Sequence, residues 1–324
     1  MSEPKPVLAI DGLTVDIRGA VVLNGVSLSV GQGEALGLVG ESGCGKSMTA
    51  LAVLGLLPGS AQVRAGSVRL QGQELLGASE QVLCQLRGGA VGLIFQEPGA
   101  CLDPVMRVGR QIGEALLLHR GLRGSAQQAA LRQLLFEVGL DDTERVARAY
   151  PHELSGGMQQ RAMIAMALAG EPVLLIADEP TTALDARVAS QILDLLDRLR
   201  RERGLALLLI SHDLAVIGGR CDRVVVMYAG RAVESAPAAQ VFEAARHPYT
   251  AALIGASPGL AGVAPKSALR DIPGQLPAPG SLGSGCAFAE RCAMARPACQ
   301  QRPPAWTALT AQHSVRCLQF EDGW

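Results

Sequence analysis

Apolar and polar residues alternate loosely over Val7 to Val15 and again over Val21 to Val30, and glycines interrupt both runs. This pattern predicts edge strands of a mixed sheet. Glu34 to Val39 is a short apolar run that enters a glycine-rich turn. Ser47 to Leu57 then has the spacing of a helix, which Pro58-Gly59 ends. From about Met106 to Ala169 the periodicity is helical: Ile112, Ala115, Leu116 and Leu118 fit one helix, Ala129 to Val138 a second, and Met158 to Leu168 a third behind Ser155-Gly156-Gly157.

After Gly170 strands and helices alternate again. Val173 to Ala177, Leu205 to Ile210 and Val224 to Tyr228 read as buried strands, and Arg187 to Arg203 as a helix. Continuous apolar strands separated by helices imply a parallel sheet covered on both faces. The arginines and acids of 197–203 read as a solvated helix face. From about Pro258 the chain turns rich in Pro, Gly, Ala and Ser, a loop-rich tail rather than sheet.

Composition narrows the function. The chain has 324 residues and a net charge of −1, so nothing points to nucleic acid as a partner. A membrane-spanning helix needs about 20 apolar residues, and the longest apolar runs fall far short of that. The start, Met1 to Pro6, lacks the basic-then-apolar order of a signal peptide, so a cytosolic location is expected, with any membrane role exercised through partner chains. Of eight cysteines, Cys44, Cys84, Cys101 and Cys221 are scattered, while Cys286, Cys292, Cys299 and Cys317 crowd into the tail. Clustered cysteines in a reducing compartment point to metal or redox chemistry more than to disulfides.

Gly40-Glu41-Ser42-Gly43-Cys44-Gly45-Lys46-Ser47 fits the phosphate-loop pattern G-x-x-x-x-G-K-[ST] in full, between a strand and a helix. Glycines let backbone N–H groups turn toward phosphate oxygens, and the following helix, from Met48 on, adds roughly half a positive charge at its start. Gly40, Ser42, Gly43, Cys44, Gly45, Lys46, Ser47 and Met48 are the expected nucleotide contacts. Lys46 reaches the β- and γ-phosphates, the Ser47 hydroxyl ligates Mg²⁺, and the Cys44 thiol is incidental. Val173 to Glu179 is an apolar strand ending in two carboxylates: Asp178 would hold Mg²⁺, and Glu179 could deprotonate an attacking water, worth about 10²–10⁴-fold.

Leu154-Ser155-Gly156-Gly157-Met158-Gln159-Gln160-Arg161 resembles the signature sequence of ATP-binding-cassette (ABC) ATPases. The order of the other motifs agrees over roughly residues 7–245. The resemblance implies an α/β fold: a P-loop NTPase (RecA-like) core with a mixed sheet, an inserted helical subdomain at about 97–169, and a small loop-rich C-terminal extension over 246–324. It implies that Ser155, Gly156 and Gly157 contact ATP held by a partner subunit. Gln96 resembles the Q-loop glutamine, which contacts Mg²⁺ and the membrane partner. Ala183-Leu184-Asp185 resembles the D-loop, and His212 the switch histidine at the γ-phosphate. Where the family has an adenine-stacking aromatic, this chain has Asp16-Ile17-Arg18-Gly19, which makes ATP-over-GTP selectivity less secure than phosphate binding.

His247-Pro248-Tyr249-Thr250 and the residues after it resemble the C-terminal module of importer ATPases for di- and oligopeptides and for nickel. The tail pattern C-x5-C-x6-C-x17-C resembles subunits in which four cysteines hold a [4Fe–4S] cluster. Spacing alone fits neither the usual zinc pairs nor bacterial ferredoxins, so zinc, or no metal, stays open beside the cluster. The resemblance implies a peripheral ATPase at the cytoplasmic face of the cell (inner) membrane, energising an importer. Its partners would be a second ATPase subunit, two transmembrane permease subunits and an extracytoplasmic substrate-binding protein. Di- or oligopeptides are the expected cargo, with nickel or a metal chelate as the alternative. A soluble ABC ATPase without transport function is the remote one.

Overall fold

The computed structural model describes residues 5–182, 184–257 and 271–321. The chain begins with β1 (Leu8–Ile17), β2 (Ala20–Val30), β3 (Ala35–Val39), α1 (Lys46–Val53), β4 (Ala61–Leu70), β5 (Gln73–Glu74), α2 (Glu80–Leu86) and β6 (Val91–Ile94). A helical stretch follows: α3 (Pro98–Cys101), α4 (Val108–Arg120), α5 (Gly124–Glu137), α6 (Thr143–Arg148) and α7 (Gly156–Leu168). Then come β7 (Leu174–Asp178), α8 (Ala186–Arg203), β8 (Ala206–Ser211), α9 (Leu214–Gly218), β9 (Arg223–Tyr228), β10 (Arg231–Pro237), α10 (Ala238–Ala244) and α11 (Pro248–Ala256). The tail holds α12 (Pro297–Gln301), β11 (Thr307–Ala308) and β12 (Ser314–Val315).

The chain divides into two units. The first comprises Met1–Val30, Glu34–Leu76 and Leu209–Trp324, and the second Gly31–Gly33 and Gly77–Leu208. In the first, β2-β1-β4-β5 form an antiparallel sheet, and β11-β12-β10-β9-β3 run side by side. β3 is parallel to β9, while β10 is antiparallel to β9 and to β12, so this sheet is mixed. Every residue of β3 is buried, as its unbroken apolar string requires. Each Val or Leu so buried contributes roughly 1.5–3 kcal/mol of transfer free energy. Asp222 fixes the start of β3, accepting the Ala35 N–H at 2.8 Å and donating its own N–H to the Ala35 carbonyl at 2.8 Å.

In the second unit β6 is parallel to β7, and β8 enters beside β7, where the Ala206 N–H donates to the Val173 carbonyl at 3.0 Å. Helix α8 starts on Asp185, whose carboxylate accepts from the N–H groups of Arg187 and Val188, and ends on left-handed Gly204. Ile192, Leu195, Leu196 and Leu199 form its buried stripe.

One local expectation fails, and two details go beyond the sequence reading. Leu118 is 77% exposed, although Ile112 and Leu116 on the same helix are fully buried. The latter two are one helical turn apart, whereas Leu118 lies two residues beyond Leu116, on the opposite side. The charge run of α8 is not all solvated: Arg200 has a side chain 12% exposed, donating to Asp197 and the Gly33 carbonyl, and Arg203 pairs with Glu137. Between α1 and β6 the chain adds β4 and β5 over 61–74 and the helix α2.

Candidate functional site

The first unit presents the phosphate loop between β3 and α1. Its glycines answer two separate constraints. Gly45 has φ +108°, and a Cβ there would meet Leu23 Cδ2 at 2.7 Å. A Cβ on Gly40 would meet the Met227 carbonyl oxygen at 2.2 Å and Cys44 Sγ at 2.7 Å. Only glycine satisfies both the backbone angle and the space. Lys46 is buried, and its ammonium donates to the Gly40 carbonyl at 2.8 Å and the Glu41 carbonyl at 3.2 Å. Ser47 is exposed on the first turn of α1, and Met48 beside it is half-buried. The loop is anchored from below: Thr49 donates its hydroxyl to the Gly45 carbonyl at 3.0 Å, and the Gly230 N–H donates to the Cys44 carbonyl at 2.9 Å.

The Cys44 thiol serves packing. The side chain is buried beneath Gly40, and burial pushes its thiol pKa up, so it acts as a small neutral packing group. In the same unit His212 is exposed directly after β8, and Asp213 caps α9 by accepting the Ala215 N–H at 2.8 Å. Asp16 is buried and paired with Arg64, and it accepts the Gly19 N–H at 3.0 Å. It therefore builds the β1–β2 turn and leaves Arg18, at φ +52°, exposed on the tip.

The second unit gathers Gln96, Glu179 and Thr182. Gln96 Nε2 donates to Glu179 Oε2 at 3.2 Å, and the Thr182 hydroxyl donates to the same oxygen at 3.1 Å. Glu179 follows β7 directly and has φ +48°, a left-handed angle that a non-glycine residue adopts at a cost. Asp178 precedes it as the last residue of β7. Two adjacent carboxylates, one hydrogen-bonded by an amide and a hydroxyl, can hold a cation and accept a proton from water.

Ser155 opens α7 as its N-cap, with its hydroxyl accepting the Met158 N–H at 3.4 Å. Ser155 and Gly156 are exposed. A Cβ on Gly156 would lie 3.8 Å from Leu184 Cδ2, and one on Gly157 would meet Val188 Cγ1 at 2.8 Å. The helix start is therefore packed tightly against the beginning of α8. Ala183 lies outside the described residues, and Asp185, the D-loop carboxylate, is used within the chain as the cap of α8. Thr182 is a contact that sequence reasoning missed. Its only signal was its place three residues after Glu179.

The tail needs a correction. Cys286, Cys292, Cys299 and Cys317 line one cavity with His247, Phe288 and Leu318. Among the described residues, however, no group of three or more His, Cys, Asp or Glu side chains is arranged to hold a metal ion. The arrangement of the described residues thus does not support the [4Fe–4S] cluster expected on these four cysteines. Burial, with the neighbouring thiols adding to it, pushes the Cys286 thiol pKa up to about 11, and burial raises those of Cys292 and Cys317. Among the described residues no helix is long and apolar enough to cross a membrane.

Comparison with known proteins assigns this geometry. The family described as ABC transporter matches residues 23–182, and the family described as the C-terminal region of oligopeptide/dipeptide transporters matches residues 233–299. A Brucella ovis protein named "Putative peptide import ATP-binding protein" is 44% identical over 98% of this chain and 98% of its own. The oligopeptide transport ATP-binding protein OppD of Mycobacterium tuberculosis is 45% identical over 98% of this chain, which spans 52% of OppD. Among solved structures, cbiO1 of Clostridium perfringens, part of an ABC transporter complex, matches with TM-score 0.66 and 26% identity over 74% of this chain and 91% of its own. The ATP-binding cassette MJ0796, a dimer bound to ADP and Pi, matches with TM-score 0.63 and 26% identity over 71% of this chain and 98% of its own. The chain belongs to the peptide/oligopeptide importer family of ABC transporter ATP-binding subunits. It is an ATP-hydrolysing enzyme coupled to transport and works with transmembrane permeases. None of the relatives named above is named for nickel.

Proposed function

We propose that this chain binds and hydrolyses ATP at the cytoplasmic face of the cell (inner) membrane to drive import of di- or oligopeptides. The hydrogen bonds that Gln96 and Thr182 donate to Glu179 carry this reading. They hold one carboxylate, beside a second, in the turn after an apolar strand, as a general base for water requires. The phosphate loop of 40–47 holds the nucleotide, with Lys46 leaving the Gly40 and Glu41 carbonyls for the phosphates. Ser47, Gln96 and Asp178 would hold Mg²⁺, which would supply charge neutralisation at the phosphates. His212 contacts the γ-phosphate.

Two ATPase subunits meet head to tail, and exposed Ser155, Gly156 and Gly157 of each close over the other's nucleotide. The dimeric cassette MJ0796, bound to ADP and Pi, supports this arrangement. A second, different ATPase subunit is the preferred partner. The region around Gln96 and the helices after it engages the permeases, and exposed Phe95 and Val105 supply apolar surface there. An extracytoplasmic binding protein delivers the cargo. Residues 1–245 act as the ATPase domain, with a helical subdomain at about 97–169, and 246–324 as the extension.

The four tail cysteines are the donor set for a [4Fe–4S] cluster. They share one cavity, and since their spacing matches neither the usual zinc pairs nor bacterial ferredoxins, zinc is the alternative. A single zinc ion would need all four sulfurs to close to about 2.3 Å from one centre. Iron and acid-labile sulfide in anaerobically purified protein test the cluster.

Vesicles carrying the chain with its permeases and binding protein should take up a labelled peptide when ATP is supplied on the side of this subunit. Uptake of nickel chelate in place of peptide would move the reading to the metal-importing alternative. An ATPase that neither co-purifies with permeases nor drives uptake would leave the soluble, non-transport reading.

A further inference from the structure

Arg291 sits in the short 3₁₀ turn Ala289–Arg291, next to Cys292 and buried to 6% side-chain exposure. Its guanidinium grips Glu41, the second residue of the phosphate loop, with both forks: Nη1 donates to Oε2 at 2.7 Å and Nη2 to Oε1 at 2.9 Å. The remaining donor capacity is also used. Nε donates to the Pro273 carbonyl at 2.7 Å, and the planar group lies over the Tyr228 ring, 5.7 Å from its centroid. Tyr249, from α11, receives the backbone N–H of the same Glu41 on its hydroxyl at 2.9 Å. Tyr228, Tyr249 and Phe288 pack edge on or tilted at 4.6–5.3 Å between ring centroids, which makes one rigid block behind the loop. Phe288 lines the four-cysteine cavity too.

From these contacts we infer that Arg291 and Tyr249 are positioning residues for nucleotide binding: the four-cysteine segment clamps the Glu41 end of the phosphate loop and sets its affinity for nucleotide. The inference rests on reading residues 40–47 as that loop. Bidentate geometry fixes both the distance and the rotation of the Glu41 side chain, which a lysine would not do. Fixing Glu41 matters because Lys46 rests on the Glu41 carbonyl and the Cys44 N–H donates to it at 3.2 Å. A loop held at that residue presents a preorganised ring of N–H groups, and one released there must be ordered by the ligand.

Linkage makes the coupling reciprocal: if the clamp strengthens nucleotide binding, nucleotide binding must strengthen the clamp. The test therefore has two readouts on the full chain. Titration with MgADP should show affinity reduced about tenfold in Arg291→Met, less in Arg291→Lys, and several-fold in Tyr249→Phe, as expected for loss of charge-assisted and neutral hydrogen bonds. In the wild type, MgADP should slow amide exchange in residues 286–292, and in Arg291→Met this protection should vanish. Tyr249→Phe removes one oxygen atom, so it keeps the test usable should Arg291→Met fold poorly. Wild-type affinity in both Arg291→Met and Tyr249→Phe, with exchange at 286–292 unmoved by nucleotide, would overturn the inference. Lys46→Ala in the same titration keeps the failures apart: full MgADP affinity there would refute the phosphate-loop reading itself.

Discussion

Gln96 and Glu179 are joined by a hydrogen bond of 3.2 Å between the glutamine Nε2 and the carboxylate Oε2, across 83 residues of sequence. Thr182 donates to the same oxygen at 3.1 Å. One carboxylate oxygen is thus oriented by an amide and a hydroxyl donor. Thr182→Val removes one donor without touching the phosphate loop. It should lower kcat about threefold to tenfold, with little change in nucleotide affinity, as loss of one hydrogen bond of about 0.5–1.5 kcal/mol implies. Steady-state ATP hydrolysis beside a nucleotide titration measures both, and an unchanged kcat would mean that this bond does not serve catalysis.

Gly45 predicts a sharp steric response. With φ at +108° and Leu23 where a Cβ would sit, Gly45→Ala should cost about 1–3 kcal/mol of stability and weaken MgATP binding more than tenfold. Thermal unfolding and a binding titration read the two effects. Gly59, where a Cβ would meet nothing within 4 Å, is the control: Gly59→Ala should leave both close to wild type.

Much of this was legible in the sequence where local chemistry decides. β3, β7 and β8 announce themselves as uninterrupted apolar strings, and α8 carries both its Asp185 cap and its Gly204 stop. The phosphate loop and the Asp178–Glu179 pair are likewise local. What was not legible depends on partners far along the chain. Arg291 and Glu41 lie 250 residues apart, and nothing in either neighbourhood names the other. β4 escaped notice because most of its residues are exposed, so it carries no apolar alternation. Arg200 looked solvated because sequence shows charge and not the burial that its partners permit.

His247 should make the extension acid-sensitive. Burial lowers its pKa to about 3, and its Nδ1 caps α11 by accepting the Tyr249 N–H at 3.1 Å. In the unfolded chain a histidine takes up its proton near pH 6.5, at about the ordinary value. Between those two values the unfolded state binds more protons, so stability rises with pH across the window. It is fully present above about pH 6.5 and falls away below, at up to about 1.4 kcal/mol per pH unit. His247→Asn keeps a capping acceptor and cannot titrate. The difference in unfolding free energy between wild type and variant should be flat above pH 6.5 and should shift against the wild type below it. A difference that is flat throughout contradicts the buried neutral histidine.

Glu234 is fully buried on β10 and accepts the Arg246 N–H at 2.7 Å and the His247 N–H at 2.9 Å, with His313 Nε2 at 2.8 Å. One carboxylate thus ties the sheet to the segment before α11 and to the tail. Glu234→Ala strands two backbone donors and should cost about 3 kcal/mol. Denaturant unfolding measures that cost, and a loss below about 0.5 kcal/mol, the usual range for surface changes, would show the network to be dispensable.

The central claim is that this subunit hydrolyses ATP with Glu179 as the base. Its most direct test compares steady-state ATP turnover of wild type and Glu179→Gln, assembled with the same permeases, alongside nucleotide binding in each. The account predicts turnover reduced by about 10²-fold or more in the variant with ATP still bound. Turnover equal to wild type in the assembled Glu179→Gln complex would contradict it.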